Sequence, residues 1–158
     1  MRIPWNELTA GFERPAVNGL LADWRWLLGN SMDLPVISSL GDMFLSDATG
    51  KVFWLDAGAG KRQQVAANHL EFTQLIQKPE NADRWFVPSL VGDLITSGVG
   101  LSAGQCYRFI NPPILGGPIA PANFKPVDLS VHFSVLGQIN RQVRDLPPGT
   151  KISNVKFA

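Results

Sequence analysis

Cysteine is nearly absent from these 158 residues: Cys106 stands alone, so an internal disulfide is impossible and no thiolate zinc cage can be assembled from this chain. Histidine is scarce as well, with only His69 and His132, and Asp42, Asp47 and Asp56 lack the spacing of a zinc or calcium loop. No metal and no cofactor is expected. An excess of one charge sign is also missing. Fourteen Lys and Arg stand against thirteen Asp and Glu, a net charge of +1, with no like-charge run longer than two residues. That excludes both a nucleic-acid footprint and an acidic mimic of one. No apolar run approaches membrane-spanning length, and the opening Met1 to Glu7 puts charges and Pro4 where a secretory signal places apolar residues. A cytoplasmic, reducing location is expected.

The sequence is rich in core-forming residues: 45% are hydrophobic, including nine Phe and five Trp. A chain of this length buries roughly 70% of its unfolded surface, enough for one core, and residues 1–158 read as a single domain.

The stripe Val17, Leu20, Leu21, Trp24, Leu28 has helical spacing and stops at Gly29, which predicts a helix over 17–28. Met43-Phe44-Leu45, a turn cluster at 47–51 and Val52-Phe53-Trp54-Leu55 spell a β-hairpin. Both parities of the second run are apolar, so that strand belongs in the middle of a sheet, covered on both faces. The turn at 56–61 leads to a polar edge strand at 62–66, completing a three-stranded meander at about 42–66. Asn68 and Glu71 have capping-box spacing, opening a helix through Phe72, Leu75 and Ile76. Pro88 divides the helical pattern between 80 and 97.

Residues 104–110 suit one further strand of the same sheet. Residues 111–127 carry five prolines and two glycines, and a connection of that kind inside a compact domain is more often functional than passive. From 128 onward both strand and helix periods can be read; the helical set, Leu129, Phe133, Leu136, Ile139, Val143 and Leu146, is longer, with Asp128 as its cap. Lys151 to Phe157 suggests a last strand. The expected class is therefore α+β: a small antiparallel sheet, the meander at about 42–66 plus the strand at about 104–110, packed with about four helices.

Gly58-Ala59-Gly60-Lys61-Arg62 lacks the glycine spacing and the Ser or Thr of a phosphate loop and reads as a hairpin turn. Trp24, Trp54 and Trp85 fall on core stripes, which leaves Trp5 and Trp26 as surface anchors. Asp42, Asp47 and Asp56 read as turn or cap residues.

Taken together, Gly41-Asp42-Met43-Phe44-Leu45, Gly50 to Asp56, Glu71-Phe72, Gly104-Gln105-Cys106-Tyr107, Pro112-Pro113-Ile114-Leu115-Gly116-Gly117, Gly137 to Gln142 and Leu146-Pro147-Pro148-Gly149 form an ordered set of motifs. The set resembles the C-terminal domain of type VI secretion immunity proteins of the Tdi kind over about residues 35–152. This domain, formerly of unknown function, is grouped with SUKH-like immunity domains and follows a GAD-like domain in longer members. The resemblance implies a non-catalytic bacterial protein that binds a cognate secreted toxin, DNA-degrading in the named cases, and blocks its active site. Against that pattern, no separate GAD-like domain is expected within these residues, and the acidity with which many immunity proteins meet basic nucleases is missing from them.

Two hypotheses follow. In the first, the proline-rich loop with Pro112, Pro113, Gly116 and Gly117, and the polar groups Arg108, Gln138 and Arg141, present a surface to a protein partner, the toxin. The loop is expected to be ordered at the surface and pinned to the core by Ile114 or Leu115. In the second, Cys106, His132 and the Gly116-Gly117 loop form a small-molecule or thiol-dependent enzymatic site; a fully buried thiol would rule it out.

Overall fold

A computed structural model describes residues 3–13, 17–30, 32–147, 149–150 and 156–157. Strands β1 (Met32–Ile37), β2 (Met43–Asp47), β3 (Val52–Asp56) and β4 (Lys61–Ala66) form an antiparallel meander in that order. The register pairs Phe44 with Trp54 and Leu45 with Phe53, so the alternation of β2 and β3 sends side chains to two opposite cores. Met43, Leu45 and Leu55 join Leu21, Trp24, Leu28 and Phe133 on one side. Phe44 and Val52 join Phe72, Trp85 and Phe86 on the other. The sheet is thus covered on both faces, as the unbroken apolar run of β3 requires. The polar strand β4 lies at the edge with Lys61, Arg62, Gln63 and Gln64 exposed.

Helices α1 (Trp5–Leu8), α2 (Val17–Leu21) and α3 (Arg25–Leu28) precede the sheet, the last two separated by a 3-10 turn at Ala22–Trp24. The single helix expected over 17–28 is therefore divided, although it does end at Gly29, whose φ of 74° no side chain favours. Next come α4 (His69–Ile76), α5 (Pro79–Phe86) and α6 (Pro88–Thr96). The Asn68 side chain accepts the Glu71 amide at 2.8 Å and starts α4 as the cap spacing predicts. Val87, driven out of the helical region by Pro88, adopts φ 43° and splits α5 from α6.

Strand β5 (Gln105–Phe109) does not extend the meander. It pairs instead with β6 (Phe124–Asp128) in a separate two-stranded ribbon, and its Tyr107 amide donates to the Ser39 carbonyl at 2.7 Å in the turn after β1. The ribbon's alternation puts Cys106 and Val127 in the α7-side core and Tyr107 and Phe124 against Leu90 and Leu94 of α6. The long helix α7 (Leu129–Val143) follows, with Asp128 at its N-cap position but without a side-chain cap bond. The strand proposed at 151–157 lies outside the described residues apart from Lys156 and Phe157. The α+β class holds, with a four-stranded rather than three-stranded meander and with seven mostly short helices among the described residues.

Candidate functional site: the pocket between the ribbon and the long helix

Helix α7 is drawn tightly against the rest of the chain by two of its own positions. The Trp24 indole donates to the Phe133 carbonyl at 2.9 Å. Four residues on, Gly137 has no side chain to obstruct this approach; a Cβ there would sit 2.6 Å from the Asp23 carbonyl oxygen. Further along, Asn140 donates to the Ala57 carbonyl at 3.0 Å, fixing the β3–β4 turn to the helix. That turn is the hairpin turn expected at Gly58–Lys61.

On the other side of α7, a pocket of about 160 Å³ opens between the helix and the ribbon. Val135, Leu136 and Ile139 form one wall; Phe109, Ile110 and Pro112 form the other; Arg108 and His132 complete it. The lining is mostly apolar, and Ile110 at the rim is 52% exposed. The Arg108 Nε is buried with no hydrogen-bond partner, and no hydrogen bond or ion pair of this guanidinium is found among the described residues. In the ribbon register Lys125 stands directly across from Arg108.

His132 is buried, and its Nε2 lies 2.9 Å from the Gly41 carbonyl, a contact in which the neutral ring donates. Burial, opposed by that hydrogen bond but helped by the Arg108 charge, holds its pKa down to about 4. Gly41 (φ 85°) has no room for anything larger: a Cβ would lie 2.1 Å from Nε2 of the ring.

The next residue, Asp42, is more than the turn residue expected. Its carboxyl group accepts the Trp54 indole and the Ala57 amide, both at 3.0 Å, and so braces β2 against the end of β3. Burial and the neighbouring Asp56 charge push it up to about 8, against those two donors. Asp47 and Asp56 do act as turn residues, accepting the Thr49 and Ala59 amides at 2.9 and 3.2 Å.

Opposite signs of linkage follow. Asp42 titrates near 3.8 when unfolded, so its contribution to stability is complete below that pH and is lost as pH rises toward 8. His132 titrates near 6.5 when unfolded, so its contribution is complete above that pH and is lost as pH falls toward 4. The two slopes offset one another between about 4 and 6.5. From 6.5 to 8 Asp42 acts alone, and the unfolding free energy should fall by about 1.4 kcal/mol per pH unit. Urea titrations across that range should show the decline in the native sequence and its loss in Asp42→Asn. A flat native profile would mean that Asp42 is ionised in the folded state.

Among the described residues the proline-rich loop is bridged by a hydrogen-bonded clamp, beside the anchor expected at Ile114 or Leu115. Leu115 is only half-buried, and the side chain of Ile114 lies outside the described residues. The fixing group is Asn123, 8% exposed, whose amide nitrogen donates to the carbonyls of Asn111 (2.9 Å) and Pro118 (2.7 Å) while its oxygen accepts the Asn111 amide (2.9 Å). Gly117 lies inside this clamp, where a Cβ would be 1.6 Å from the Asn111 oxygen; Gly116, at φ 95°, faces open space. Pro113 approaches Gly58 of the β3–β4 turn.

The residues singled out from sequence therefore divide. Arg108 and Pro112 meet at the pocket, in company with His132 and with Ile110, Val135 and Ile139, which sequence reasoning did not select. Gln138 and Arg141 lie elsewhere, at a second hollow shared with Asp23, Trp26 and Gln142. There Trp26 stacks on Trp24 at 5.9 Å and carries the Arg144 guanidinium on its ring. Trp5, 46% exposed, rests its edge on Phe86. Cys106 is fully buried in the core, does not line the pocket, and has its thiol pushed up by burial, so the thiol-dependent reading is not favoured.

Residues 66–140 match the family model described as T6SS immunity protein Tdi1, C-terminal. The match runs from the last residue of β4 into α7 and so takes in the ribbon, the proline-rich loop and the pocket; the motifs at 41–56 and 146–149 lie outside it. No curated protein matches the sequence. Among solved structures, the crystal structure of Atu4351 from Agrobacterium tumefaciens shares the fold, with a TM-score of 0.57 at 15% identity over 85% of this chain and 68% of that one.

Proposed function

Starting from a chain that carries the pattern of the Tdi1 C-terminal immunity family over residues 66–140, we propose that it binds and neutralises a cognate toxin of a type VI secretion system, a nuclease in the first instance, without catalysing a reaction itself. The observation that carries this reading is the coincidence of the family match with the exposed, internally clamped loop and the pocket beside it. A loop already ordered loses little entropy on association, which suits a firm recognition element. In this reading Arg108, Pro112, Pro113 and Gly116 face the toxin, Gly117 holds the loop's shape, and Gln138 and Arg141 supply a second, peripheral contact. The domain acts as one unit in the cytoplasm, before the toxin reaches its target. No helix among the described residues is long and apolar enough to cross a membrane.

The test is to co-express the chain with the secreted toxin encoded beside it. A stable complex in gel filtration, together with loss of the toxin's activity in proportion to added chain, is the expected result. A toxin that stays fully active in the presence of excess chain would overturn the proposal.

A further inference from the structure

We propose that the pocket between β5 and α7 is the socket for one acidic side chain of the protein partner, with the Arg108 guanidinium as the group that receives its carboxylate. The inference rests on the toxin-binding reading and adds the chemistry of the contact. Size selects the kind of occupant. A pocket of about 160 Å³ is well below the roughly 300–1,000 Å³ of small-molecule sites, and it suits a single side chain presented by a macromolecule.

Charge selects the chemistry. Arg108 brings a permanent positive charge to an otherwise apolar wall, and among the described residues no carboxylate neutralises it. Lys125, next to it across the ribbon, adds a second positive charge rather than an opposite one. The other polar group, His132, is committed to the Gly41 carbonyl. A planar guanidinium with free donors matches a carboxylate in two-pronged geometry, which a lysine would not. The methylenes of a glutamate would lie along Val135, Leu136 and Ile139, and Ile110 at the rim would close over them, excluding water from the ion pair.

Two measurements separate this inference from the reading beneath it. In the first, the isolated chain is titrated with acetyl-Leu-Glu-Leu-amide and its glutamine counterpart while NMR follows the Arg108 Nε–H and the Ile110, Val135 and Ile139 methyls. Saturable shifts confined to these groups are expected with the glutamate peptide, at least tenfold weaker with the glutamine one. Absent shifts, or equal shifts with both, would overturn the socket whether or not the toxin binds. In the second, toxin affinity is compared for the native chain, Arg108→Gln, Arg108→Glu and the sheet-edge control Arg62→Glu. Arg108→Gln should weaken binding by at least tenfold and Arg108→Glu by at least a hundredfold, with melting temperatures near native and the control unaffected. Toxin binding that survives Arg108→Glu would overturn the socket and leave the immunity reading standing. A native chain that does not bind toxin would overturn the immunity reading, and the peptide titration would then decide the socket alone.

Discussion

Phe44→Ala should lower the unfolding free energy by about 3–5 kcal/mol, roughly a fifth or more of what a domain commonly has. Phe44 is fully buried on β2, and its ring centroid lies 5.0 Å from Phe72, 5.7 Å from Trp85 and 5.3 Å from Phe86. Those rings come from α4 and α5, which the Asn68 cap and the proline at Pro79 start at fixed places along the chain. Helices anchored in this way cannot close over the space a phenyl leaves, so the cavity persists and its cost adds to the lost transfer energy. Phe44→Leu, which keeps most of the volume, should cost less than about 1.5 kcal/mol. Urea unfolding by tryptophan fluorescence measures both. A loss below about 2 kcal/mol for the alanine variant would show that the cluster repacks.

Asn123→Ala should cost about 3 kcal/mol, because it removes three hydrogen bonds at once, each worth about 1 kcal/mol net. The Asn111 and Pro118 carbonyls would lose their donor, and the Asn111 amide its acceptor. The damage is local to the loop, so its amides should exchange roughly a hundredfold faster while those of the meander change little. Gly117→Val should act on the same clamp by driving a side chain into the Asn111 carbonyl. The two effects should therefore fall short of additivity when combined. Gly116→Val meets no neighbour and carries only the left-handed backbone penalty of about 1–2 kcal/mol. Equal stability losses at the two glycines would contradict the clamp.

What could be read from the sequence was governed by how far apart the interacting residues lie. The α4 cap, the break at Pro88 and the stop at Gly29 each depend on groups within a few residues of one another, the β2–β3 hairpin is marked by the turn cluster between its two apolar runs, and each is found as expected. Strand β1 is not legible in the sequence because a proline at 35 and a bulge between Asp33 and Val36 break its alternation. Strand β6 was hidden in the proline-rich stretch, Pro126 being tolerated because β6 lies at the edge of the ribbon. The candidate site was legible only in part: Arg108 and Pro112 stood out as polar or turn residues, but their meeting with His132 depends on ribbon packing against α7, which no local pattern encodes. Two of the three Asn123 bonds and both Asp42 bonds span 12 to 15 residues, and single-residue propensities carry no trace of them.

The outer strands bear on behaviour at high concentration. Strand β1 contains a proline and a bulge, β4 is a polar edge that carries Lys61 and Arg62, β6 contains Pro126, and the Tyr107 amide of β5 is already taken by Ser39. Each of these discourages a stray strand from docking on the ladder. Such a molecule can be held at high concentration without polymerising through added strands.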